Sequence, residues 1–217
     1  MTHRNIFHIL LFGIIIALGS FLIFEIVRTT EISTTTSSKP LVSTETYAVP
    51  LTGTEPTLGN PGAPNMIILF GDLGSRDTQN VFIILTKFVT SHPETFKLIW
   101  KDAPQPTLFV KNSLQAHVGA YCANEQHKFW PFATEVFSSR SNLDDKNLQK
   151  VATDQSLNIP TWNTCFTATS THDLIQTANE GYRSAGITEA PTLFIDGKRI
   201  NLVKEIKLED ILNSLIQ

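Results

Sequence analysis

Sulfur is scarce in this chain: its 217 residues include two cysteines and two methionines. The cysteines, Cys122 and Cys165, stand too far apart for a Cys-x-x-Cys pair, the spacing that perturbs thiol pKa values. The six histidines show no ligand spacing among themselves or with the cysteines, so no metal site is expected and no cofactor is implied. A strong excess of one charge is missing too. Seventeen basic and twenty acidic residues leave a net charge of -3, and the basic residues are scattered. That excludes the electrostatic footprint of a nucleic-acid binder. No internal repeat is present.

One long apolar run stands out. Residues 6–24, IFHILLFGIIIALGSFLIF, carry no Lys, Arg, Asp or Glu over about 19 positions, enough to cross a bilayer core as a helix. Ala17-Leu18-Gly19 resembles a signal-peptide cleavage site, but apolar residues continue through Phe24, which favours an uncleaved anchor. Arg4 precedes the run and Arg28 follows it, so loop charge orients it weakly. Residues 1–28 are therefore expected to be a transmembrane anchor. Residues 29–57, rich in Thr, Ser and Pro, have little to bury and are expected to be a flexible linker. About 160 residues remain, enough for one domain with a full hydrophobic core.

Within that domain the periodicities alternate. Met66–Phe70 is a short continuous apolar run, as for a strand covered on both faces. Residues 78–90 carry Val81, Phe82, Ile84, Leu85, Phe88 and Val89 at helical spacing, and Phe96–Lys101 reads as a second strand, parallel to the first. Helices are expected over 113–124, 129–137, 144–155 and 161–168, the third capped by Asn142 or Asp144. A longer helix over 171–185 should end at Gly186. Residues 192–195 and 198–202 form a hairpin, since Asp196-Gly197 suits a type I′ turn, and 207–216 closes the chain as a helix. Phe129, Trp130, Phe132 and Phe137 are expected in the core of the helical block, and Trp100 and Trp162 as packing residues. Periodicity by itself specifies only an α/β fold.

Three patches say more. They are Leu58-Gly59-Asn60-Pro61-Gly62-Ala63-Pro64, the run Cys122-Ala123-Asn124-Glu125-Gln126-His127-Lys128-Phe129-Trp130, and Gly186-Ile187-Thr188-Glu189-Ala190-Pro191-Thr192-Leu193-Phe194-Ile195-Asp196-Gly197-Lys198. In this order they resemble the extracytoplasmic DsbA-like branch of the thioredoxin superfamily. The resemblance covers residues 58–217. It implies a thioredoxin-like fold with a helical insertion, about residues 112–170, preceded here by the transmembrane helix. It also implies a cis bond at Ala190-Pro191, in a loop whose backbone pairs with an extended segment of bound polypeptide.

The resemblance also shows what is absent. In that family the strand corresponding to Phe70 delivers a Cys-x-x-Cys pair to a helix start, and here those positions are Ser75, Arg76, Asp77 and Thr78. Exchange needs a thiolate, which a helix N-terminus favours, and a second sulfur to resolve the mixed disulfide. Ser75 and Thr78 supply neither. The family is one of thiol-disulfide oxidoreductases, so whether this chain is an enzyme is left open, and no catalytic residue is assigned. Three roles for residues 75–78 are weighed: helix capping, lining a peptide groove opposite Pro191, or new chemistry at Ser75, for which no histidine partner is evident. Asp72 lies where the family carries an acid; with no thiol to tune, its expected role is structural. The family further implies a structural Cys122–Cys165 disulfide. Such a bond closes a loop of about 43 residues, worth roughly 4 kcal/mol in chain entropy. Two free thiols, or unconventional exchange at Cys122 and Cys165, are the alternatives.

The expected function is that of a membrane-anchored, extracytoplasmic, redox-inactive protein binding unfolded or extended polypeptides. A purely structural interaction module is the other reading.

Overall fold

The structure, a computed structural model, describes residues 42–105, 112–202 and 207–216. The expected anchor over residues 6–24 lies outside them. Among the described residues no helix is long and apolar enough to cross a membrane.

A six-stranded mixed sheet, with β1 (Val42–Thr46) at one edge and β2 (Thr57–Leu58, antiparallel to β4) at the other, runs in the order β1-β6-β5-β3-β4-β2. Its parallel pair is β3 (Asn65–Gly71) and β4 (Phe96–Asp102), joined by helix α1 (Arg76–Ser91). Both strands are apolar on successive residues because both sheet faces are covered; Ile67 through Phe70 are essentially inaccessible. Gly71 ends β3 where Trp100 and Thr78 close in, and a Cβ there would collide with both. On the other side of β3, β5 (Thr192–Ile195) runs antiparallel and continues into β6 (Lys198–Ile200). Asp196 and Gly197 both have positive φ, 48° and 77°, as a type I′ turn requires.

The insertion consists of α2 (Ser113–Asn124), α3 (Phe129–Ser138), α4 (Asp145–Asp154) and α5 (Ile159–Phe166). Asp144, not Asn142, caps α4, accepting from Asn147 N–H at 2.7 Å. Helix α5 begins two residues earlier than periodicity suggested. Asn158 caps it and Pro160 sits in its first turn, where a missing N–H costs nothing. Phe129, Phe132 and Phe137 are buried, while Trp130 stacks on Phe82 of α1 at 5.7 Å and so ties the insertion to the sheet layer. Cys122 and Cys165 are disulfide-bonded between α2 and α5.

Helix α6 (Thr169–Ser184) ends in a Schellman motif: Gly186 at φ 83° lets Ile187 N–H reach Tyr182 O and Gly186 N–H reach Arg183 O. Helix α7 (Leu208–Ser214) packs Leu208 and Leu212 into the main core.

The expected linker over 29–57 requires correction from residue 42 onward. Val42–Thr46 form β1, paired with β6 through Val42↔Ile200 and Thr46↔Lys198. Without it β6 would be a bare sheet edge, and a Thr- and Val-containing segment suits the pairing. Further along, Val49 packs against the Ile68, Phe70 and Phe194 cluster. Glu55 bonds Lys101 at 2.7 Å. Burial acts to raise the Glu55 pKa, but Lys101 and the Thr52 amide outweigh it and take it to about 2. The composition of this stretch is that of a spacer; its pairing partners are remote in sequence and could not be read from it.

Candidate functional site

The site is built at the C-terminal ends of β3 and β4, where the chain turns from Gly71 into α1. Ser75 is the N-cap of α1: its backbone is extended and its Oγ accepts from Thr78 N–H at 3.2 Å. Thr78 is fully buried, and its Oγ1 accepts from Asp72 N–H at 3.2 Å. Both hydroxyls are thus committed to the protein's own backbone. Arg76 and Asp77 are exposed. Gln79, one turn in, donates to Phe137 O at 3.1 Å and accepts from Arg140 Nε at 3.0 Å, which fixes the helix start against the insertion.

Beneath this turn lies a polar cluster. His117, at the centre of apolar α2, has no exposed surface, and its Nδ1 lies 2.6 Å from Asp102 Oδ1. Asp102 also accepts from Trp100 Nε1 at 2.8 Å. Asp72 accepts from Gly74 N–H at 2.9 Å, from Gln105 N–H at 3.2 Å, and from the Ser113 hydroxyl in a short bond. Burial acts to raise the Asp72 carboxyl pKa, but His117, Ser113 and Gly74 outweigh it and hold it below the ordinary range.

At His117 Nε2 two neighbours compete. Leu73 N–H points to it at 3.1 Å and needs the lone pair; Asp72 Oδ1 lies 3.4 Å away and favours a proton there. Burial lowers the imidazole pKa, yet the bonds and charges of Asp102 and Asp72 prevail and raise it to about 9. The Leu73 contact belongs to the neutral ring, with its hydrogen on Nδ1; protonation exchanges that contact for the one to Asp72. His117 makes no bond to Ser75, and among the described residues no other histidine or carboxylate bonds its hydroxyl as a general base would.

The third part is the loop before β5. The Ala190-Pro191 bond is cis, and both residues are half-buried. Phe70 pairs with Thr192 across β3 and β5, so continuing the register brings Pro191 level with Gly71, four residues before Ser75. Thr192 Oγ1 donates to Glu189 O at 2.7 Å. Among the described residues the backbone amides of Thr188, Glu189 and Ala190 have no hydrogen-bond partner, and Thr188 and Glu189 are exposed.

The Thioredoxin family model matches residues 51–214. This chain belongs to the thioredoxin family. Its fold is that of the DsbA-like branch. The chain is similar to alpha-DsbA2 from Wolbachia pipientis, a thiol-disulfide exchange protein, with a TM-score of 0.63 and 18% identity over 76% of this chain and 88% of the other. It is similar to oxidised BdbD from Bacillus subtilis, with a TM-score of 0.62 and 15% identity over 78% and 96%. A thioredoxin-like oxidoreductase from Silicibacter pomeroyi DSS-3 gives a TM-score of 0.62 and 16% identity over 76% and 93%. No curated protein matches the chain.

Of the residues singled out from sequence, Ser75, Asp72 and Thr78 come together directly, and the β3–β5 register carries Pro191 to the same end of the sheet. Cys122 and Cys165 sit apart from them in the insertion. His117, Asp102 and Ser113 were missed. The available signal was a lone histidine amid Leu114, Ala116 and Val118, a pattern that gives no hint of its partners.

Proposed function

We propose that this protein is a membrane-tethered, extracytoplasmic member of the thioredoxin family that binds extended polypeptide and does not exchange disulfides. One observation carries the reading. Hydroxyl groups stand at both positions where exchange needs sulfur, and both are already engaged, Ser75 as a helix cap and Thr78 inside the protein. A hydroxyl in place of a low-pKa thiolate forms no mixed disulfide. The chain's two cysteines are bonded to each other, and Cys122 is 1% exposed, which weighs against unconventional exchange at Cys122 and Cys165.

Binding without turnover uses the neighbouring loop. Unpaired amides at Thr188, Glu189 and Ala190 suit main-chain hydrogen bonds from an extended segment laid beside them. The apolar run over 6–24 supplies the tether, and a structural disulfide fits an oxidising compartment outside the cytoplasm.

The test uses the full-length protein and has two arms. In an insulin-reduction assay it should give no turnover above buffer; turnover near that of a working exchanger refutes the redox-inactive part. With a reduced, unfolded polypeptide added, amide exchange at 188–190 should slow. Unchanged exchange there, with binding detected elsewhere, leaves the interaction-module reading in its place. Turnover that disappears in Cys122→Ser establishes the oxidoreductase alternative.

A further inference from the structure

Beside the motif turn, at the C-terminal end of β4, lies a cavity of about 590 Å³ that polypeptide binding at the Pro191 loop leaves unused. A volume of this size is that of a small-molecule site. Its wall is largely apolar, with Leu174 of α6 half-exposed on it and Trp100 behind. Its polar groups are unevenly used.

Among the described residues the one cation on the wall is spent: Lys101 Nζ bonds Glu55 Oε1 at 2.7 Å, 5.4 Å from the Tyr182 ring centre. Asp102 is different. Its Oδ1 takes both the Trp100 and the His117 bonds, while Oδ2 accepts none among the described residues. The Tyr121 and Tyr182 hydroxyls, also on the wall, have no partner among the described residues. Asp173 stands exposed at the same cavity without an ion pair among the described residues. With Glu55 paired to Lys101 and Asp102 to His117, Asp173 is the charge left over, so the unfilled capacity is rich in acceptors and net negative, set in an apolar surround. A carboxylate or phosphate would face Asp102 and Asp173 with no free cation among the described residues to meet it. We propose that this cavity binds a small organic cation, a primary ammonium on an apolar body, with Asp102 Oδ2 as its acceptor.

The probes are benzylammonium, its neutral counterpart benzyl alcohol, and the anion benzoate, titrated into the full-length protein. NMR follows the Trp100 indole N–H, which shares Asp102 with the site, and the Leu174 methyls. Saturable shifts at both are expected with benzylammonium. Benzyl alcohol should bind about tenfold more weakly, since it loses a charge-assisted hydrogen bond, and benzoate should not saturate. Ala178→Phe, which fills the cavity, should abolish the shifts. Asp173→Lys, at an exposed helix position that leaves the fold alone, should weaken benzylammonium by about threefold and leave benzyl alcohol unchanged. Equal affinities for the ammonium and the alcohol, or an ammonium affinity untouched by Asp173→Lys, overturn the proposal. So does the absence of saturation with all three probes. A doubly blocked lysine offers the same ammonium as a polypeptide would; if it binds more tightly than benzylammonium, the small-molecule assignment is wrong.

Discussion

The first turn of α1 and the polar cluster below it are made in contrasting ways. Above, Arg76 and Asp77 are exposed, and Ser75 caps the helix. Below, Asp72, His117, Asp102 and Ser113 are joined by hydrogen bonds between the turn after β3, helix α2 and the end of β4. The family motif lies in the upper layer, whereas the interactions that hold the turn in place lie in the lower one. A site kept for its shape would be built this way; a site kept for exchange would need sulfur on top.

The largest test of that contrast is His117→Ala. It leaves the buried Asp72 and the half-buried Asp102 without their shared partner, and stability should fall by about 3–5 kcal/mol. Urea denaturation monitored by fluorescence reads this, and a loss of only a few tenths would mean the lower layer supports nothing. Acidity gives a second handle on the same group. Its folded pKa, about 9, lies above the free value, so its contribution is complete below roughly pH 6.5 and is lost as pH rises through 9. A Leu73 amide resonance that shifts with the same midpoint would tie that titration to the motif turn.

The disulfide comes next. Cys122→Ser with Cys165→Ser removes a closure of 43 residues and should cost about 2–4 kcal/mol. Reductant added to the native protein should lower its melting temperature as the double variant does. If it does not, the bond is not formed in solution and the compartment argument falls with it.

Ser75→Ala ranks third. Losing the acceptor for Thr78 N–H should cost about 1 kcal/mol, as for other N-caps. If insulin reduction by Ser75→Ala differs from wild type, the hydroxyl has chemistry that capping does not explain.

How far the sequence reveals these layers follows from the range of each signal. Helix and strand periods, the Asp196-Gly197 turn and the Gly186 cap are local, and they appear where the residues indicated them, the element ends within about two residues. The missing cysteines at Ser75 and Thr78 are visible once three patches place the family frame. The link from His117 to Asp102 spans 15 positions and that to Asp72 spans 45, and neither has a fixed spacing to look for. Strand β1 was hidden for the same reason: what makes Val42–Thr46 a strand is β6, more than 150 residues away. Composition describes what a segment would do alone, and this one is not alone.

The upper layer makes the smallest prediction, and the one most specific to electrostatics. Arg76 and Asp77 sit side by side at the positive end of α1, exposed, without an ion pair among the described residues. An acid there is favoured and a base disfavoured by the unpaired amides of the first turn. Asp77→Ala should therefore destabilise, and Arg76→Ala stabilise, each by about 0.3–1 kcal/mol at low salt. Raising the ionic strength to about 1 M shrinks the Debye length to about 3 Å and should erase both effects. Persistence of either difference at high salt would point to contacts in place of the helix field. Equal signs for the two substitutions would mean the exposed turn is doing something other than starting a helix, and the contrast between the layers would have to be redrawn.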